Sequence, residues 1–112
     1  MKHITLIAMA ALLSASVQSQ VYTSGFEDWN ESLPTDWMGS RTSILPADVN
    51  QVTDNVHGGT SAVRLSNTGT AHKRFDTQPV AVTSGTAYDI SFWARGEGKV
   101  RVGLYDGRSA QS

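Results

Sequence analysis

The 112 residues contain no cysteine. That absence excludes disulfide staples, thiolate metal sites, a cysteine nucleophile and a lipid-bearing N-terminal cysteine. An excess of charge of one sign is missing too, since nine Lys and Arg stand against ten Asp and Glu, for a net charge of −1. Nucleic acid and anionic lipid are therefore not expected partners. Past the first segment no apolar run approaches the roughly 20 residues of a membrane-spanning helix. Nor is there a Gly-x-Ser-x-Gly elbow, a phosphate-binding glycine loop or a second histidine at metal-binding distance from His57 or His72. Serine hydrolysis and nucleotide binding find no support.

What is present begins with Met1-Lys2-His3, an apolar run from Ile4 to Leu13 and a small, polar stretch from Ser14 to Gln20. These are the three regions of a signal peptide. The run is too short to span a bilayer, so the segment is expected to be removed. Small Val17 and Ser19 place the cut before Gln20, leaving residues 20–112 as a secreted or cell-surface chain with no membrane association after cleavage. A domain of that size buries only about 60–65% of its unfolded surface, so any missing strand is costly.

From Gln20 onward no window spaces its apolar residues as a helix requires, while short alternating runs recur between Gly, Asn and Ser clusters. The mature chain reads as strands. Candidates are Val21 to Phe26, Val49 to Thr53, Ser61 to Ser66 and a broken strand from His72 to Val82, with a long irregular loop over Asn30 to Ile44. In the Ser61 to Ser66 run, Val63 and Leu65 share one face, Ala62 and Arg64 the other. The clearest pattern is Tyr88 to Arg95, then Gly96-Glu97-Gly98, then Lys99 to Tyr105, which predicts a hairpin. A three-residue loop there sets Trp93 opposite Arg101, Ser91 opposite Gly103 and Asp89 opposite Tyr105. The other face, with Tyr88, Ile90, Phe92, Val100, Val102 and Leu104, then meets a second sheet.

An outer face with Trp93, Tyr105, Asp89, Arg95 and Arg101 has the chemistry of a sugar site. Aromatic rings stack on the C–H faces of a pyranose, while carboxylate and guanidinium groups hydrogen-bond its hydroxyls. Equally, Trp93 could be covered and complete a core. Trp29 and Trp37 could line one end of such a trough, but the cost of exposing an indole favours packing at the edge of the fold.

Three fragments in order carry a resemblance: Gly25-Phe26-Glu27-Asp28-Trp29 with Pro34-Thr35-Asp36-Trp37, then Val56-His57-Gly58-Gly59-Thr60-Ser61-Ala62-Val63-Arg64-Leu65, then Tyr88 to Gly96. Together they resemble the carbohydrate-binding modules of families 4 and 9, the CenC-like group of galactose-binding-like jelly rolls, as found in secreted proteins of Bacteroidetes-type bacteria. The resemblance implies an all-β, two-sheet antiparallel jelly-roll sandwich that binds polysaccharide or oligosaccharide and accompanies glycoside hydrolases without itself catalysing. It also implies a structural calcium ion (Ca2+) held by Glu27 and by the turn that contains Gly58 and Thr60. One carboxylate is too few for the six to eight oxygens calcium takes. Such modules usually continue for two or three more strands beyond the Tyr105 region, so C-terminal strands are expected to be missing at Ser112, along with neighbouring domains of a longer protein. The alternative is a spacer sandwich of a cell-surface protein that binds only its neighbours. A hydrolase is disfavoured, because Glu27 with Asp28, or Glu31 with Asp36, gives no pair opposed across a cleft.

Overall fold

A computed structural model describes the backbone of residues 3–12, 15–105 and 110–111, and the side chains of residues 21–105. Among these the regular elements in chain order are β1 (His3–Leu12), β2 (Ala15–Ser24), β3 (Trp29–Asn30), β4 (Leu33–Pro34), β5 (Val49–Val52), β6 (Ala62–Leu65), β7 (Ala87–Trp93), β8 (Leu104–Tyr105) and β9 (Ala110–Gln111), with one 3-10 turn at Pro46–Asp48. The fold is all-β. The described strands form one three-stranded antiparallel sheet, β2-β1-β7, and three two-stranded ones.

In the intact chain β1 is the central strand, pairing with β2 from Ile4↔Ser24 to Leu12↔Ala15 and with β7 from His3↔Trp93 to Met9↔Ala87. A continuous apolar run suits a central strand as well as a leader, and periodicity does not separate the two. Met1, Lys2, Leu13 and Ser14 of the expected leader lie outside the described residues. Cutting before Gln20 removes all of β1 and the first half of β2, and with them the described partner of β7.

The expected hairpin is corrected here. β7 pairs with β1, and Lys99 to Gly103 join no described ladder, while β8 pairs with β9. The reason lies in the turn, where Gly96 and Gly98 have φ of +127° and +116°. A three-residue hairpin loop closes through a left-handed residue near +57°, and neither glycine is close to it. Trp93 therefore does not face Arg101, and Asp89 does not face Tyr105.

The stretch read as an irregular loop, 30–44, contributes Trp37 and Ile44 to the core. Phe26, Trp37, Ile44, Val49 and Ala62 are the buried apolar side chains, with Ser61 buried beside them. Trp37 stacks on Phe75 at 4.5 Å between ring centroids, lies 5.0 Å from Phe26, and meets Tyr22 edge-on at 6.4 Å. Each ring pair contributes about 0.5–1.5 kcal/mol beyond the area it buries. The backbone of this loop is satisfied by the segment from Arg74 to Gln78. The amides of Ser43 and Ile44 donate to the Arg74 carbonyl, Gly39 donates to Asp76, and Gln78 donates to Asp36. The hydroxyls of Ser43 and Thr42 accept from the amides of Arg74 and Asp76. Hydroxyl side chains at those two loop positions thus replace a regular ladder.

β5 and β6 form where expected, in the register Val49↔Leu65 to Val52↔Ala62. Burial in β6 falls at its start. Ala62 is the buried residue and Leu65 is exposed, because the strand enters from the covered Ser61 and leaves toward solvent.

Candidate functional site

The most fully connected polar group is the carboxylate of Glu27. Its Oε2 accepts the Thr60 amide at 3.0 Å, the Thr60 hydroxyl at 2.7 Å and the Ser61 amide at 3.1 Å. Phe26 sets the direction of this side chain by taking a left-handed backbone, φ +56°, unusual for a bulky residue. Three bonds hold it there: its amide donates to Ser24 Oγ, and its carbonyl accepts both the Ser61 hydroxyl and the Trp29 indole N–H. Strain of this kind persists only where the surroundings over-determine it. On the other side Gly59 has φ +68°, and a Cβ there would collide with Glu27 Oε1. At Gly58 a Cβ would meet open space. The glycine that the carboxylate requires is thus Gly59.

The donors at Glu27 decide what this cluster can hold. Two N–H groups and one hydroxyl aim hydrogens at a single carboxylate oxygen, which satisfies an anion. A calcium ion needs converging oxygens. Among the described residues no group of three or more His, Cys, Asp or Glu is placed to hold a metal. Among the described residues these donors make Glu27 a hydrogen-bonded latch to the turn at Gly59.

The turn latched to Glu27 carries His57, whose ring stacks on Trp93 with centroids 4.0 Å apart and planes at 18°. His57 is exposed, and Trp93 remains 53% exposed at the end of β7. Asp89 and Trp93 lie on the same side of β7, since alternate residues of a strand share a face. Arg95 follows the strand, and Arg95, Asp89 and Arg101 are all exposed. Tyr105 is elsewhere engaged, with the Arg41 guanidinium carbon 3.9 Å above its ring centroid. Of the five residues expected to form one face, Trp93 thus stacks with His57 and shares its side of β7 with Asp89, while Tyr105 is paired with Arg41. Sequence reasoning missed both partners. His57 reads in the sequence as a surface histidine without a metal-binding partner, and no local pattern ties Arg41 to Tyr105.

The loop tryptophans behave as packing residues. Trp37 is buried, and half-buried Trp29 donates its indole N–H to the Phe26 carbonyl at 2.8 Å. A shallow depression of about 280 Å³ is lined by Val21, Tyr22, Asp36, Gln78, Pro79, Val80 and Ala81. Neither Trp93 nor Tyr105 borders it.

A strand-built chain with an exposed indole seated on a latched turn has the form of a small binding module. The carbohydrate binding domain family CBM 4/9 matches residues 18–111, and the chain belongs to that family. No curated protein and no solved structure matches it.

Proposed function

We propose that the chain is a secreted, non-catalytic carbohydrate-binding module that grips a polysaccharide by stacking Trp93 on a sugar ring, and that its full form is a two-sheet jelly roll beside further domains or a glycoside hydrolase. Residues 1–19 serve as its cleaved leader in this reading. The observation that supports it is the indole of Trp93, half in solvent with one face against His57 and the other able to take a pyranose. Asp89, Arg95 and Arg101 are exposed polar groups available to sugar hydroxyls. Affinity electrophoresis against a panel of soluble glycans tests it. Wild type is retarded by at least one glycan, and Trp93→Ala migrates freely. Unchanged retardation of Trp93→Ala, or none for wild type on any glycan, overturns the reading.

A second reading, a spacer domain that binds only its neighbours, rests on another observation. Phe92, Val100 and Leu104 are 40%, 72% and 43% exposed. Isolated exposed apolar residues are ordinary, but three in one short stretch suit a domain interface. Retardation by a glycan that vanishes with Trp93 excludes it as the sole role.

A further inference from the structure

We infer that His57 is the residue that positions Trp93 for ligand, and that Glu27 acts through the turn it latches to hold His57 in place. This rests on the sugar-binding reading for its purpose, though not for its geometry. The chain of contact from Glu27 to Trp93 runs through the turn at 57–61. Glu27 accepts both amides and the hydroxyl at Thr60 and Ser61. Gly59, whose positive φ and missing Cβ let the turn close on that carboxylate, sits two residues from His57. His57 lies flat on Trp93 at 4.0 Å. An indole this exposed at a strand end would otherwise sample several rotamers. A stacked imidazole removes part of that freedom and leaves one face of the indole outward, so less ordering remains to be done when a ligand arrives.

A feature of the latch strengthens the assignment. Glu27 and Thr60 are 33 residues apart in sequence, and three donors from the turn meet on one carboxylate oxygen. The same turn carries His57, whose ring is its described contact with Trp93 at the outer end of β7.

The test separates the two layers. Acrylamide quenching of tryptophan fluorescence in the full chain, read as the difference from Trp93→Phe, isolates Trp93 from buried Trp37 and half-buried Trp29. Uncovering one ring face in His57→Ala raises quenching of the Trp93 component and weakens glycan retardation roughly two- to tenfold, the scale of one ring pair. His57→Phe, which restores a flat ring, returns both to wild type. Glu27→Ala raises Trp93 quenching although it touches neither ring, and Thr60→Val, which removes one donor, does so less while remaining folded. Trp93 quenching unchanged in His57→Ala overturns the inference, and unchanged quenching in both Glu27→Ala and Thr60→Val overturns the latch. Loss of the Trp93 signature on adding a chelator, restored by calcium alone, also overturns the latch. If no glycan retards any variant while the quenching shifts persist, the sugar reading fails and the positioning of Trp93 by His57 stands.

Discussion

Between Val21 and Gln78 every Phe, Tyr and Trp side chain is buried or half-buried, whereas from Pro79 to Tyr105 only Tyr88 is, and Phe92, Trp93 and Tyr105 stand open to solvent. The first stretch lacks long strands: its longest complete ones, β5 and β6, have four residues each. It is held by side chains that answer backbone groups and by a ring cluster around Trp37. The second has the longest described strand of residues 21–105, β7, yet relies for that strand's pairing on β1. Regular alternation builds a strand, but only a partner covers it. Irregular sequence with well-placed rings and hydroxyls covers itself.

The sharpest way to break this comparison is to remove its centre. Trp37→Ala deletes contacts with Phe26, Phe75 and Tyr22 and is expected to cost about 3–5 kcal/mol, enough to unfold a small domain. Val100→Ser, at an apolar side chain 72% exposed in the second stretch, is expected to change stability by less than about 0.5 kcal/mol. Denaturant melts of both variants check the contrast. Equal costs would show that the two stretches share one core.

Next in size is Gly59→Ala. The substitution places a methyl where Glu27 Oε1 lies and forces a side chain into φ +68°, for an expected cost of about 1–3 kcal/mol. Gly58→Ala, with open space at the same atom, is expected to cost a few tenths of a kcal/mol. Thermal melts of the pair show whether the latch contributes to stability as its three hydrogen bonds suggest.

Which parts of this were readable beforehand follows from the same contrast. β5, the turn after His57 and β6 were legible because their signals are local: Val49 and Val52 in a short polar run, paired glycines, the alternation of Val63 and Leu65 with Ala62 and Arg64, and a stop at Asn67. The packing role of Trp37 was legible from the cost of exposing an indole. Its partner Phe75 was not, since ring pairing across the chain leaves no trace in spacing. The hairpin at Gly96 to Gly98 failed because glycine permits several positive φ values, and composition does not say which one the turn adopts. Glu27 was identified as important from the family fragment, but the nature of its partners, N–H and O–H rather than carbonyl oxygen, is a matter of peptide orientation. No one-dimensional reading contains that.

Removing residues 1–19 tests whether the first stretch truly stands alone. The described ring pairs and the described hydrogen bonds of the Glu27 latch lie among residues from Tyr22 onward. The truncated chain is therefore expected to keep the near-ultraviolet dichroism of the cluster. β7 loses its seven pairs with β1, so amide exchange of Ala87 to Trp93 is expected to rise by an order of magnitude or more relative to Val49 to Val52. Uniform acceleration across both stretches would mean that β1 supports the whole molecule.

The smallest effect is a pH dependence confined to the first stretch. Burial against Trp37 and its neighbours raises the Tyr22 phenol above its ordinary value of 10.0; the Asp36 carboxylate adds to the rise, and hydrogen bonding with Ser24 and Trp37 opposes it. The neutral form is therefore favoured in the folded chain more than in the unfolded one. In the interval between the two values the folded state binds more protons, so stability is complete below the unfolded value and is lost as pH climbs through the raised one. Thermal midpoints measured from neutral to strongly alkaline pH are expected to fall more steeply for wild type than for Tyr22→Phe, which carries no ionisable group there. Tyr105, exposed in the second stretch, is the control, and Tyr105→Phe is expected to leave the slope of wild type in place; parallel slopes for wild type and Tyr22→Phe would remove Tyr22 from the cluster that holds the fold.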